Sequence, residues 1–290
     1  MTANDIGLSD DQWQLLAVLN TLGGSSSIEL IGEFVPLKPG PLFDLLKKGK
    51  KNQLFQHKAD DYLLLEKALP AFVQDKIKQL TDLKFLCQLN EQIQTKQLKN
   101  QIEPTAFIKI LGRLGKGKEA AEIEFELVHQ EQKQKNYQKV KYHLLNILDL
   151  LFEFNPENGV GSLFTTAVLH YSNICFLLGQ ELDKIEKYLQ RALKVAGEIG
   201  DKRSQGLISL HFGRLYYFRN RRDDALVSLS RGYEEIKKLG DDDIVSQSSG
   251  FLGIYFFAQG LYHEALKFFE KAESLYKNDD EYNITRKSIY

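Results

Sequence analysis

The one stretch with the spacing for phosphate chemistry is Gly112-Arg113-Leu114-Gly115-Lys116-Gly117-Lys118. A phosphate-binding loop needs backbone amides around the phosphates, a Lys to reach them, and then a Ser or Thr to hold magnesium. Position 119 is Glu, which puts negative charge where the phosphates would sit. Phe107, Ile108, Leu111 and Leu114 fall at helical spacing, so the stretch reads as a helix end and a turn eased by Gly115 and Gly117. The six histidines, His57, His129, His143, His170, His211 and His263, show no ligand pairing at short helical spacing, and no Cys joins them. A zinc site is not expected. Asp241-Asp242-Asp243 lacks the Gly and the final Glu of a calcium loop, and suits a helix N-terminus. Cys87 and Cys175 are far apart and read as small buried residues of a chain kept in a reducing, cytoplasmic compartment. No Ser–His or Cys–His arrangement is recognisable. The expectation is a protein with no catalytic residue, no metal and no cofactor.

The elements that carry these residues repeat. Gly213, Tyr216, Ala225, Leu229 and Gly232 return as Gly253, Phe256, Ala265, Phe269 and Ala272, an interval of 40 residues. Gly200-Asp201 and Gly240-Asp241 punctuate the copies at the same interval. Self-similarity of this kind marks stacked helical hairpins. The Gly sits mid-way along the first helix, where the absence of a side chain admits the second helix. The Ala near the start of the second helix is the matching small residue. Arg219-Asn220-Arg221-Arg222-Asp223 and Gln259-Gly260-Leu261-Tyr262 supply the tight turns. An earlier copy keeps the register with Asn173, Phe176, Ile185, Leu189 and Ala192. There Asn and Ile replace two small residues. A further hairpin precedes it, with Glu119 to Lys133 as first helix and Tyr137 onward as second. Asn155-Pro156-Glu157-Asn158-Gly159 is a loop by composition.

Leu252-Gly253, Phe256, Ala265, Phe269 and Ala272 resemble the tetratricopeptide repeat, in the order Leu-Gly, aromatic, Ala, Phe, Ala, although the usual period is about 34 residues. The resemblance implies a concave face lined by the first helices. It places His170, Ile174, Leu177, Leu210, Arg214, Tyr217, Ile254 and Phe257 there, with Gln247 standing in for Gly250. The face would be apolar and aromatic around one cation, Arg214. That suits an extended peptide or protein segment carrying a carboxylate.

The N-terminal part reads as helix, helix, helix, hairpin. Ser9 caps a first helix with Gln12 three residues on, and Trp13, Leu15, Leu16, Val18, Leu19 and Leu22 form its apolar face. Gly23-Gly24 ends it, and Ser25-Ser26-Ser27 restarts a short helix through Ile28–Phe34. Pro41 opens a third, stopped by Gly49. Asn52–Lys58 and Tyr62–Lys67 form a two-stranded hairpin. This is a winged-helix order. Lys47, Lys48, Lys50 and Lys51 are the candidate phosphate contacts if that unit meets DNA. The helix before them offers Asp44 but no Arg, Asn or Gln to read bases.

A winged helix running through Ala68–Ile77 into helical hairpins resembles the C-terminal half of the MalT-type signal-transduction ATPases with numerous domains. Glu119-Ala120-Ala121, Phe125 and Tyr137-Gln138-Lys139-Val140 resemble the first hairpins of that family's sensor. The resemblance implies an ATPase module as partner, in cis or in trans, and a winged helix that acts as an internal joint.

The expected fold is mainly α: an N-terminal winged helix followed by an α-solenoid of tetratricopeptide-like hairpins. The divisions are a disordered tail over 1–8, the winged helix over 9–75, a helical linker over 76–118 and the array over 119–290. A formal net charge of −1 argues against a general polyanion binder. No stretch reads as long and apolar enough to cross a membrane, Leu144–Phe154 being broken by Asn146, Asp149 and Glu153. The expected function is a non-catalytic interaction or sensor module of a signalling or transcription-regulatory protein. Its repeats would bind a peptide, a partner protein or an inducer. The alternative is a small DNA-binding regulator. Glu281–Tyr290 reads as the start of a further helix, leaving the last hairpin's outer surface apolar.

Overall fold

The computed structural model describes residues 8–35, 40, 44, 47–48, 51, 54–58, 62–65, 69–152 and 159–275. Residues 1–7 of the tail expected over 1–8, residues 155–158 of the expected loop, Lys50 and the end over 276–290 lie outside the described residues. The chain divides into two compact units, residues 1–123 and 124–290, with the division inside one helix.

In the first unit, α1 spans Asp10–Thr21. The capping box forms: Ser9 Oγ accepts from the Gln12 amide at 3.4 Å, and Gln12 Oε1 accepts from the Ser9 amide at 3.0 Å. Trp13, Leu15, Leu16, Val18 and Leu19 are buried. The serines after Gly24 do not restart a helix as the sequence suggested. Ser25–Ser27 is a strand, β1, and α2 begins only at Ile28 and runs to Phe34. The reason is a waiting partner. β1 pairs antiparallel with β3, Tyr62–Leu65, and the Leu65 amide donates to the Gly24 carbonyl at 2.7 Å. Ser27, extended, then caps α2 by accepting from the Leu30 amide at 3.1 Å. β2, Phe55–Lys58, pairs with the other edge of β3, so the sheet order is β1-β3-β2.

The later described elements of this unit are helical. α3 is Ala71–Leu80, α4 is Leu83–Thr95 capped by Asp82, and α5 is Pro104–Arg113 capped by Glu103. Gly115 is left-handed (φ 71°), and α6, Gly117–Lys133, starts directly after. The glycine-rich stretch is therefore a helix end and turn, and Lys116 pairs with Glu119 at 3.3 Å.

In the second unit the helices pair in sequence. After α6 come α7 (Tyr137–Leu151), α8 (Val160–Leu178), α9 (Leu182–Glu198), α10 (Lys202–Phe218), α11 (Arg222–Lys237), α12 (Asp242–Ala258) and α13 (Tyr262–Ser274). The small residues do what their spacing required. A Cβ on Gly213 would lie 2.5 Å from Leu229 Cγ and 2.9 Å from the Leu229 amide nitrogen. One on Gly253 would lie 2.5 Å from Phe269 Cε1. One on Gly232 would meet the Gly206 carbonyl at 2.8 Å. Ala225, Ala265 and Ala272, the small residues of the second helices, are buried. The turns follow suit: Asn220 and Gly260, one interval apart, are both left-handed. Gly adopts that conformation without strain, and Asn is among the side-chain-bearing residues that tolerate it best.

Successive hairpins are joined by side chains at their tips. Lys141 Nζ donates to Gln180 Oε1 at 2.7 Å and to Glu181 Oε1 at 2.8 Å. Arg219 pairs with Asp183 and Glu186, each at 2.6 Å. Tyr255 Oη donates to the Arg222 carbonyl at 3.0 Å.

Two expectations need correction. α8 is long and apolar enough, by length and composition, to cross a membrane. It carries no Asp, Glu, Lys or Arg, and most of its length is buried among its neighbours in the array. Cys87 is exposed on α4, where the helix turns its polar side outward; only Cys175 is a buried thiol, and both are free.

Candidate functional site

The first helices α8, α10 and α12 are chemically unusual. Beyond their first turns, their one Asp, Glu, Lys or Arg is Arg214. Its guanidinium is held between two rings, Phe176 of α8 and Phe251 of α12, each centroid 4.5 Å from Cζ. Arg214 Nη1 donates to Asn173 Oδ1 at 2.5 Å. No described carboxylate pairs with this cation. Burial alone lowers its pKa, to about 10, so it stays charged at neutral pH. Asn173 holds the register position of Gly213 and Gly253. Its departure from a small residue thus has a purpose: it is the acceptor for Arg214.

One turn before Arg214 lies His211, buried, its ring 6.0 Å from that of Phe176. Its Nδ1 has no partner. Burial first, then the neighbouring Arg214 and His170, pushes its pKa well below the ordinary histidine value. His170 is also lowered, by burial and then by His129. The two histidines beside Arg214 are therefore held neutral, and among the described residues no acid pairs with the fixed positive charge.

The residues placed on this face by the sequence separate into three groups. Leu177, Tyr217 and Phe257 share one register position and are 53%, 37% and 59% exposed. They form an apolar row, one per hairpin. His170, Arg214, Gln247 and Ile254 are half-buried beside it. Ile174 and Leu210 are buried and belong to the core. Leu210 is pressed by the backbone of α11, which Gly232 allows to approach: a Cβ on Gly232 would be 2.9 Å from the Leu210 amide nitrogen.

Sequence reasoning missed the cage itself. Phe176 and Phe251 lie on different hairpins and at different register positions, so no spacing within one repeat brings them together on Arg214. The available signal was a lone Arg in three otherwise uncharged helix bodies. Elsewhere, Glu124 of α6 is buried and bonded on both oxygens, to His143 Nδ1 at 2.6 Å and Asn146 Nδ2 at 2.9 Å. Among the described residues no three metal-ligating side chains come together. In the first unit Lys47, Lys48 and Lys51 are described, and Lys48 is paired with Asp44 at 2.8 Å.

The arrangement has the chemistry of a binding surface. It offers an exposed apolar row and a cation with hydrogen-bonding capacity left over. No family profile and no curated protein matches the sequence. Among solved structures, BtubC (BKLC) from P. vanneervenii is similar with a TM-score of 0.43 and 15% identity, over 94% of this chain and 96% of that one. The signal-transduction ATPase with numerous domains PH0952 from Pyrococcus horikoshii, which has a tetratricopeptide repeat sensor, is similar with a TM-score of 0.38 and 16% identity, over 92% of this chain and 44% of that one. Both scores are low, and the hairpin array is established here by its own helix packing.

Proposed function

We propose that the chain is a non-catalytic interaction module whose hairpin array receives an extended segment of a partner protein, with a carboxylate of that segment on Arg214. The observation that carries the reading is the row Leu177, Tyr217 and Phe257 running beside an unneutralised guanidinium. Exposed aromatics supply contact area, and a guanidinium pairs with a carboxylate through two bonds. Phe176 and Phe251 hold the fork in one orientation, so little side-chain freedom remains to be lost on binding.

In the same proposal the first unit is a winged helix that relays the state of the array to an ATPase module, in cis or in trans. The helix–strand–helix order and the antiparallel β1-β3-β2 sheet support it. The relay rests on the sequence resemblance. The free thiols of Cys87 and Cys175 suit a reducing compartment such as the cytoplasm.

A random peptide library displayed against the immobilised chain tests the binding. Enriched peptides should carry an acidic residue flanked by apolar ones. They should lose at least tenfold in affinity against Tyr217→Ser combined with Phe257→Ser, and their Glu→Gln or Asp→Asn versions should bind more weakly. Equal binding to the wild-type and doubly substituted chains would place the binding surface elsewhere.

A further inference from the structure

Asn173 carries a polar side chain where its counterparts in the next two hairpins have none. A Cβ on Gly213 or Gly253 would lie 2.5 Å from a side-chain atom of the second helix of its own hairpin. In α8 that close approach has been given up. Ile185 of α9, in the place of Ala225 and Ala265, is bulkier to match and is buried. The Asn173 side chain reaches instead to the next hairpin, where its Oδ1 accepts from Arg214 Nη1 at 2.5 Å.

The chemistry of that side chain matters as much as its reach. Four other arginines of the array face carboxylates: Arg203 with Asp241, Arg219 with Asp183 and Glu186, Arg221 with Asp224, and Arg231 with Glu235. Arg214 faces an amide. An Asp in place of Asn173 would have the same shape and would make a stronger, charge-assisted bond to the guanidinium. It would also neutralise it. The amide orients the fork and leaves its charge whole. An amide is a donor as well as an acceptor. Among the described residues nothing accepts from Asn173 Nδ2, nor from the remaining N–H groups of Arg214. Both residues are half-buried, and Phe176 and Phe251 hold the guanidinium from two sides. Unused donors of two residues, from two hairpins, thus lie side by side with one net positive charge.

We propose that Asn173 and Arg214 form a single carboxylate subsite and that Asn173 is its specificity-determining residue. The inference rests on the reading above, in which a carboxylate of a partner segment meets Arg214, and adds the residue that keeps this cation open. A carboxylate has two acceptor oxygens and a negative charge, so it can take the guanidinium and the amide together. A ligand amide, with one acceptor oxygen and no charge, satisfies fewer of these donors.

The probe is acetate, a carboxylate with no flanking side chains, titrated into the full chain isotopically labelled at nitrogen, with chloride at equal ionic strength as control. The Arg214 Nε–H and Asn173 Nδ2–H signals should shift and saturate with acetate and not with chloride. Asn173→Asp should weaken acetate binding at least tenfold, as read on Arg214, without lowering the melting temperature. Asn173→Gly restores the small residue of the repeat, so the fold is kept whatever Asn173→Asp does. It should weaken acetate binding at least threefold. No saturable shift in the wild type, an equal shift with chloride, or undiminished acetate binding in Asn173→Asp or Asn173→Gly would overturn the proposal. Failure of the two readings is separable. Asn173-dependent acetate binding without any enriched peptide would leave the subsite standing and remove the partner segment. Enriched acidic peptides that bind Asn173→Asp as tightly as wild type would keep the segment and remove the role of Asn173.

Discussion

Arg214 and His211 lie one turn apart on α10 and solve the same problem differently. Arg214 keeps its charge and is compensated by two ring faces and one amide oxygen. A cation so placed gains from the ring quadrupoles, and more when water is excluded. His211 gives up its charge: burial, Arg214 and His170 all oppose protonation. Its folded pKa is therefore depressed below the unfolded value near 6.5. The folded state binds fewer protons than the unfolded state below that pH, so stability is present above it and is lost as pH falls. Each such histidine contributes a slope of about 1.4 kcal/mol per pH unit in that range. The melting temperature should fall between pH 7 and pH 5, and His211→Leu should flatten the fall. An identical pH profile for His211→Leu and wild type would show that His211 does not cause it.

Among the elements, the glycines inside the hairpin helices are not equivalent. Gly213 in α10 faces Leu229 side chain and backbone of α11 at distances no real Cβ shows. Gly250 in α12 has nothing within 4 Å of where a Cβ would be. Ala is preferred to Gly in a helix interior by about 1 kcal/mol. Gly250→Ala should therefore stabilise the protein by about 0.5–1 kcal/mol. Gly213→Ala should cost about 1–3 kcal/mol net, because α10 and α11 must move apart. Chemical denaturation of the two variants reads this directly. A Gly213→Ala midpoint at or above wild type would remove the close helix contact on which the register rests.

For the whole molecule, charge bears on the alternative of DNA binding. The formal net charge is −1. In the first unit Lys48 is already paired with Asp44, which also accepts from Gln12 Nε2 at 3.2 Å. Non-specific attraction to DNA is strong only where many lysines and arginines face phosphates, and it weakens steeply with salt. A retardation assay should show no shift that survives moderate salt. A specific, salt-resistant complex lost on joint Lys47→Ala, Lys48→Ala and Lys51→Ala substitution would move the function to the first unit.

Much of this architecture is local and so was legible along the chain. The Ser9–Gln12 capping box, the helix end at Gly115 and the hairpin contacts at Gly213, Gly253 and Ala265 depend on residues near in sequence or repeated at a fixed interval. Periodicity and turn chemistry report such features directly. What needed the tertiary structure was anything that depends on partners from different elements. Ser25–Ser27 became a strand because the backbone of Tyr62–Leu64 was there to pair with it. Leu210 left the candidate surface because α11 presses on it, and Cys87 proved exposed although cysteines are commonly buried. The cage around Arg214 draws Asn173 and Phe176 from one hairpin and Phe251 from another. The register says which residues share a helix face. Which side chains meet across three helices is decided by how closely the backbones pack.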